Sequence, residues 1–463
     1  MAQTNRPAAV LATVVIVQFM VSLDLSVVNV ALPAIQSEFD MSATALQWVV
    51  NAYAVVFGGF LLLGGRLGDV IGRRRTMIAG LVLFGAASLA GGLATDEALL
   101  IGARAVQGLG AAALSPLSLA LITVTFPEGP ARTKAVGLWA AATMLGGALG
   151  VVAGGLLTDF VDWRWVLLIN VPIVVAALST AARGIGGAED RARPRLDIAG
   201  ALLVTTAMLL LILGVVRTDE HGWASAVTVG TLAVGVVLLA AFVVVETRVA
   251  EPLMRLGLLA HGSVAGANVF GFMITAGQLA AFYFVSLHMQ SVLLYSPATA
   301  GVCFVPFALG AVGGMRLVPV LVNRFGHRAT LVVGGLLGAV GIAWFGTGGP
   351  GGTFLTDILG PSVVASVGIG ISFVVMGTIA MRGVAAEEAG MASGLLNSSR
   401  QLGGALGLAV LATVAATVTA GDRTPAALSD GYSAAFFMGG ALIAVGTVIA
   451  GLLIPRAEVP AKV

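Results

Sequence analysis

One short peptide is written twice in this chain. LGGALG stands at Leu145 to Gly150 and again at Leu402 to Gly407. Over a wider window, Gly137 to Gly150 (GLWAAATMLGGALG) aligns with Gly394 to Gly407 (GLLNSSRQLGGALG) at an offset of 257, with eight of fourteen positions matching. Both copies lie in long apolar segments, which predicts a membrane protein of two related halves. Paired membrane halves with a site between them are a common build of secondary transporters.

Composition agrees. Of the 463 residues, 58% are hydrophobic and only 10% charged, against roughly 25% charged in soluble proteins. That is too little charge to clothe a water-facing surface. The 63 glycines suit membrane helices, where small residues let backbones approach. A net charge of +2 without a basic, aromatic-rich cluster argues against nucleic acid. Cys303 is the only cysteine, so disulfides and cysteine-based metal sites are excluded. The N-terminal apolar run contains Asp24 and no small-residue cleavage site, so it reads as a first span rather than a signal peptide.

A helix needs about 20 mostly apolar residues to cross a bilayer. Fourteen such stretches are predicted, near 10–32, 46–64, 76–95, 98–124, 134–157, 163–182, 197–216, 224–245, 262–290, 298–320, 329–347, 354–380, 389–418 and 432–454. On one face, the loops and ends hold 18 of the lysines and arginines. The other face holds Arg164, Arg217 and Arg423, and Arg104, Arg316 and Arg400 fall inside spans. The imbalance predicts that both termini are cytoplasmic. A second alignment, Gly68–Arg74 (GDVIGRR) on Val322–Arg328 (VNRFGHR) at an offset of 254, makes spans 7 and 8 an insertion. The expected organisation is an all-α membrane protein arranged 6+2+6: bundles at 1–190 and 258–463, and a hairpin with its linkers at 191–257.

The residues at fixed places resemble a known family. Gly65-Arg66-Leu67-Gly68-Asp69-Val70-Ile71-Gly72-Arg73-Arg74 is similar to the loop 2–3 signature of the major facilitator superfamily. Leu23 to Pro33 (LDLSVVNVALP) resembles the first-span signature of its fourteen-span drug:proton antiporters. Arg104 to Gly110 (RAVQGLG) resembles the fourth-span motif, and Gly146 to Gly155 (GGALGVVAGG) the fifth-span antiporter motif. One departure is Val151, where the family has a proline that helps bend the helix. The resemblance covers the whole chain. It implies the superfamily's membrane fold, no enzymatic activity and residence in a bacterial cytoplasmic membrane. It also implies a conformational gate formed by Gly65, Gly68, Asp69, Gly72, Arg73 and Arg74, and close helix packing at Gly146, Gly150, Gly154 and Gly155.

A transporter that exports against a gradient needs an energy source. No Gly-Lys-Ser/Thr phosphate loop is present, and the GxGxxG match at Gly346 to Gly351 lies in a predicted loop rather than between strand and helix. An ion gradient remains, with no cofactor. Of 22 acidic residues only Asp24 lies well inside a span. A carboxylate near the bilayer centre costs about 2.5–3.5 kcal/mol on insertion scales, so it is a functional candidate. Burial favours the protonated carboxyl and a nearby cation favours the carboxylate, so a site alternating between the two can move a proton. The alternative is a structural hydrogen bond. The counterpart of Asp24 in the second half is roughly Gln278, which cannot titrate. Arg104, about 9 Å along its span at 1.5 Å per residue, is the natural partner, with helix-end snorkelling as the alternative. Candidate cavity residues are Trp48, Asn51, Tyr53, Gln278, Tyr283, Asn397 and Arg400, each equally open to ordinary helix packing.

The function expected is proton-coupled antiport: export of hydrophobic or amphiphilic small molecules by alternating access. Its partners would be the substrate, protons and lipid, without nucleic acid or an obligate protein. Uptake by symport on the same scaffold is the alternative. A membrane enzyme or receptor lacks any supporting motif, HExxH and GxSxG included.

Overall fold

A computed structural model describes residues 6–127, 130–186, 197–249, 252, 256–382, 384 and 389–455. Helices dominate it, as they must for a backbone in lipid, where each N–H and C=O has to be satisfied within its own segment. Eleven of the described helices are long and apolar enough to cross a membrane, and two more, Ala45–Leu61 and Leu202–Val215, are apolar but shorter. Two of the expected spans, 298–320 and 329–347, share one 49-residue stretch, Pro297–Phe345.

The chain forms two compact units. The first comprises Met1–Thr206, Arg248–Leu253 and Ser296–Val302, and the second Ala207–Thr247, Met254–Tyr295 and Cys303–Val463. The residues of the expected hairpin are thus shared, with the start of its first helix in unit 1 and most of the remainder in unit 2.

Unit 1 is built on α1 (Pro7–Phe39), α2 (Ala43–Ile71), α3 (Arg73–Gly92), α4 (Glu97–Thr125), α5 (Pro130–Phe160), the short α6 (Trp165–Leu168) and α7 (Asn170–Gly184). Starts follow capping chemistry. Ser42 accepts from the Ala45 N–H and Asp96 from the Leu99 N–H, at 3.0 and 2.9 Å. Helix α1 packs on α5 and α7, and α4 on α2 and α3. Val14, Val17, Tyr53, Leu81, Phe84 and Leu114 lie at the centre of the core.

Helices α8 (Ile198–Val216), α9 (Thr218–His221) and α10 (Ala226–Arg248) follow. Val236 and Val237 on α10 are 57% and 64% exposed, as suits a lipid-facing surface. Unit 2 continues with α11 (Gly262–Leu287), α12 (Pro297–Cys303, of which only Cys303 belongs to this unit), α13 (Val305–Phe345), α14 (Gly360–Ala380), α15 (Ala389–Thr419) and α16 (Pro425–Leu453). Helix α11 packs on α15 and α16, and α13 on α14.

The written repeat reappears as repeated contacts, each inside its own unit. A Cβ added to Gly146 would strike the Phe19 carbonyl oxygen, and one added to Gly403 would strike that of Phe272. One turn on, Gly150 meets Leu23 and Gly407 meets Ala276. The glycines are 257 apart and their partners 253 apart, so α5 presses on α1 as α15 presses on α11. By this pairing Gly277 is the repeat counterpart of Asp24, one residue before Gln278.

The second alignment also has a physical counterpart. Gly72 and Gly326 have φ of +104° and +77°, which glycine adopts without the steric cost of a Cβ. The Thr76 hydroxyl donates to the Gly72 carbonyl at 3.0 Å, and the Thr330 hydroxyl to that of Gly326 at 2.8 Å. Gly326 is the non-helical residue that divides α13. The expected loop 65–75 shrinks to a single hinge residue. Helix α2 runs on to Ile71, because Gly64 and Gly68 let it lie against Ala112 and Leu117 of α4.

Candidate functional site

Asp24 sits in the middle of α1 with no exposure to solvent. Gly150 and Gly154 of α5 pack on the neighbouring backbone at Leu23 and Val27, and so bring a second helix against the turn that carries it. Its carboxylate is surrounded by donors. The Arg104 guanidinium donates through Nη1 to Oδ2 at 2.6 Å, an ion pair whose side chains are 2% and 0% exposed. Asn170 Nδ2 donates to Oδ1 at 2.8 Å, and Gln107 Nε2 donates to the same oxygen at 3.2 Å.

A ring of partners holds these donors. Arg104 Nε donates to the Val49 carbonyl at 3.0 Å and Nη1 to Gln107 Oε1 at 2.9 Å. The guanidinium lies over the Tyr53 ring, 4.5 Å from its centroid. Gln107 Nε2 also donates to the Ser88 hydroxyl at 2.7 Å. Side chains and backbone from five helices of unit 1 therefore join one network around the carboxylate: α4 and α7 donate to Asp24 of α1, while α2 and α3 hold the α4 donors. A buried charge is tolerated where it is paired and hydrogen-bonded; Asp24 has its counter-charge, and three donors share the four lone pairs of its carboxylate.

Asp24 and Arg104 were predicted as partners, and the fold brings them together. Tyr53, expected as a cavity residue, joins them. Gln107, Asn170 and Ser88 were not singled out. Gln107 had a signal, since it follows Arg104 by three residues and so shares its helix face. Asn170 is the one amide in its predicted span, 163–182, and stands just after the break between α6 and α7. Pro172 has no N–H to return to the Leu168 carbonyl, which interrupts the helix there.

The other expected residues lie elsewhere. Trp48 is half-buried; Asn51 is buried, with neither amide atom partnered among the described residues. Gln278 lines a cavity of about 10 Å³, room for one water at most, beside Phe282, Phe304 and Phe307. Tyr283 is buried against Phe284 at a centroid distance of 5.1 Å. Asn397 is exposed and accepts from Arg400 Nη1 at 3.4 Å, and the Arg400 guanidinium covers the Phe373 ring at 4.3 Å. In the same polar stretch the Ser399 hydroxyl donates to Asn268 Oδ1 on α11 at 2.8 Å, a bond between packed helices.

In the gate motif, Gly65 lies near Pro116, and Arg74 Nη2 donates to the Ala182 carbonyl at 3.4 Å. Gly72 is the hinge, and Arg73 begins α3. The side chains of Arg66 and Asp69 lie outside the described residues. Of the fifth-span glycines, Gly146, Gly150 and Gly154 face α1, while Gly155 meets the Pro297 carbonyl of α12 within unit 1.

Comparison with known proteins agrees with this architecture. The sequence profile of the Major Facilitator Superfamily matches residues 14–408. A cephamycin export protein of Amycolatopsis lactamdurans is 44% identical over 438 residues, covering 94% of this chain and 90% of the relative. A puromycin resistance protein of Streptomyces alboniger is 39% identical, with 96% and 90% covered. A tetracenomycin C resistance and export protein of Streptomyces glaucescens is 34% identical, with 91% and 78% covered. Among solved structures, a POT family transporter in complex with 5-aminolevulinic acid superposes with a TM-score of 0.73 over 97% of this chain and 96% of that one. At 13% identity that likeness speaks for the fold alone. This multi-pass membrane protein, with its two halves built on one repeated packing scheme, belongs to the major facilitator superfamily and groups with antibiotic export and resistance transporters.

Proposed function

We propose that this protein is a proton-coupled antiporter that exports antibiotics or other lipophilic small molecules across a bacterial cytoplasmic membrane by alternating access. The observation that carries the reading is the fully buried Asp24 carboxylate held by Arg104 at 2.6 Å. It is a group that binds one proton and changes charge, fully buried and paired with a single guanidinium. The direction of transport rests on the relatives, whose names speak of export and resistance. The proton gradient is the energy source, with no cofactor.

The fourteen-span reading follows from dividing Pro297–Phe345 at Gly326 and adding the two shorter apolar helices to the other spans. With the excess of arginine on one face, an even count puts both termini in the cytoplasm. The segment around Gly72 then forms the short cytoplasmic turn of the gate.

The test is proton flux in proteoliposomes under an imposed pH gradient, with puromycin, tetracenomycin C and a cephamycin added in turn. Substrate-evoked proton release from acid-loaded vesicles, lost in Asp24→Asn, supports the proposal. Release that persists in Asp24→Asn removes Asp24 from coupling, and proton movement in the same direction as the substrate replaces antiport by symport.

A further inference from the structure

We infer that Asn170 is a positioning residue that turns its amide over when Asp24 is protonated, so that one side chain serves both charge states of the carboxyl. The inference rests on the proton-coupling reading above. In the structure Asp24 Oδ1 accepts two hydrogen bonds, from Asn170 Nδ2 at 2.8 Å and from Gln107 Nε2 at 3.2 Å. A carboxylate oxygen has two lone pairs in its plane, so both are taken. Oδ2 faces the Arg104 cation at 2.6 Å, which disfavours a proton there. A proton arriving at Oδ1 must displace one of the two amide donors and then needs an acceptor for its own hydrogen bond.

The two amides are not held alike. Gln107 is fixed at both ends: its Oε1 accepts from Arg104 at 2.9 Å and its Nε2 also donates to the Ser88 hydroxyl at 2.7 Å. Turning it would set its NH₂ against the guanidinium. The Asn170 amide is held by Asp24 alone. Its Oδ1 is fully buried with no partner among the described residues, and its side chain does not cap α7. An unmade hydrogen bond in the interior is costly, and this acceptor is one Cβ–Cγ rotation away from the place where the new O–H would point.

The step balances simply. A proton from water adds to Asp24 Oδ1, the Asn170 N–H···O bond breaks, the amide rotates by half a turn, and an O–H···O bond forms to Asn170 Oδ1. Arg104, left without its counter-charge, keeps the Val49 carbonyl, Gln107 Oε1 and the Tyr53 ring face. Release of the proton reverses each move.

The test is infrared difference spectroscopy of the purified protein in lipid, taken between alkaline and acid pH, with Asp24→Asn and Asn170→Leu as references. The expected result is a carboxyl C=O band that appears on acidification and is absent in Asp24→Asn. With it, a side-chain amide C=O band moves to lower wavenumber and is absent in Asn170→Leu. In Asn170→Leu the carboxyl band moves to higher wavenumber, as for a C=O whose O–H has lost its acceptor. Puromycin-evoked proton flux in that variant falls about tenfold or more, the effect of one hydrogen bond to a charged group. Asn170→Ser is the amide reference if the leucine variant does not fold. A carboxyl band without any amide band overturns the role of Asn170 and leaves coupling at Asp24 standing. Absence of the carboxyl band from the wild-type spectrum overturns the coupling reading, and this inference with it.

Discussion

The Asp24–Arg104 pair makes a prediction about stability in which two wrongs nearly cancel. At 2.6 Å and an effective dielectric of about 20, the gross attraction is about 6 kcal/mol. Desolvating each ion costs several kcal/mol, so the net contribution of the intact pair is close to zero. Removing one partner keeps the desolvation cost of the other and loses the attraction, which costs about 3–5 kcal/mol. Asp24→Asn and Arg104→Gln are therefore each expected to destabilise by that amount, and the double variant by much less than their sum. For 463 residues, the usual entropy of unfolding per residue gives roughly 1 °C per kcal/mol, so each single variant should lose roughly 3–5 °C in Tm. The assay is thermal unfolding in detergent, followed by tryptophan fluorescence, at one pH and one protein concentration. Additive losses in the double variant would refute the argument, since they would mean that neither charge depends on the other. So would an Asp24→Asn variant as stable as wild type, which would mean that the Val49 carbonyl, Gln107 and Tyr53 satisfy the guanidinium unaided.

The glycine contacts divide cleanly by substitution. Gly150→Val pushes methyl groups into Leu23 and Ser26 and should cost at least about 1–3 kcal/mol and abolish export, whereas Gly147→Ala, with nothing within 4 Å, should be neutral or slightly stabilising in the same Tm and transport assays. Gly326→Ala isolates backbone strain, because its φ of +77° and ψ of 168° suit glycine alone and nothing lies near the added Cβ; a loss of about 1–3 kcal/mol is expected in thermal unfolding. The Tyr53 hydroxyl has no partner among the described residues while its ring carries the Arg104 guanidinium. Tyr53→Phe should therefore leave Tm and proton flux intact, and Tyr53→Leu should lose about 0.5–2 kcal/mol and slow the flux.

The parts of the fold legible in the sequence were those where chemistry forces a residue type. Close helix approach needs glycine, so the ladder at Gly146, Gly150 and Gly154 and its copy at Gly403 and Gly407 could be read directly. A charge inside an apolar run is costly, so Asp24 and Arg104 stood out. Asn170 and Gln107 did not, because an amide inside a membrane helix has two ordinary fates. Only the tertiary path that brings positions 146 and 83 residues away onto Asp24 decides between them. The glycines and arginines of the gate segment lower its hydropathy, so the sequence predicts a loop there. The contacts of Gly64 and Gly68 with α4, which keep it helical, are invisible to a hydropathy scale. The same limit applies to Gly326, where one residue with positive φ separates two apolar runs that otherwise continue as a single helix.

Under the proposed coupling, the single buried carboxylate also sets an upper bound on the work of transport. With coupling at Asp24, each turnover moves one proton through this site. One pH unit across the membrane is worth 1.36 kcal/mol, a tenfold concentration ratio at most. For an uncharged antibiotic the exchange also moves a net charge, and each 100 mV of membrane potential adds about 2.3 kcal/mol, nearly fiftyfold. For a singly charged cationic antibiotic the charges cancel and the potential contributes nothing. A cell that collapses its pH gradient but keeps its membrane potential would then still expel neutral substrates, while the exchange of cationic ones would stop at equal concentrations on the two sides.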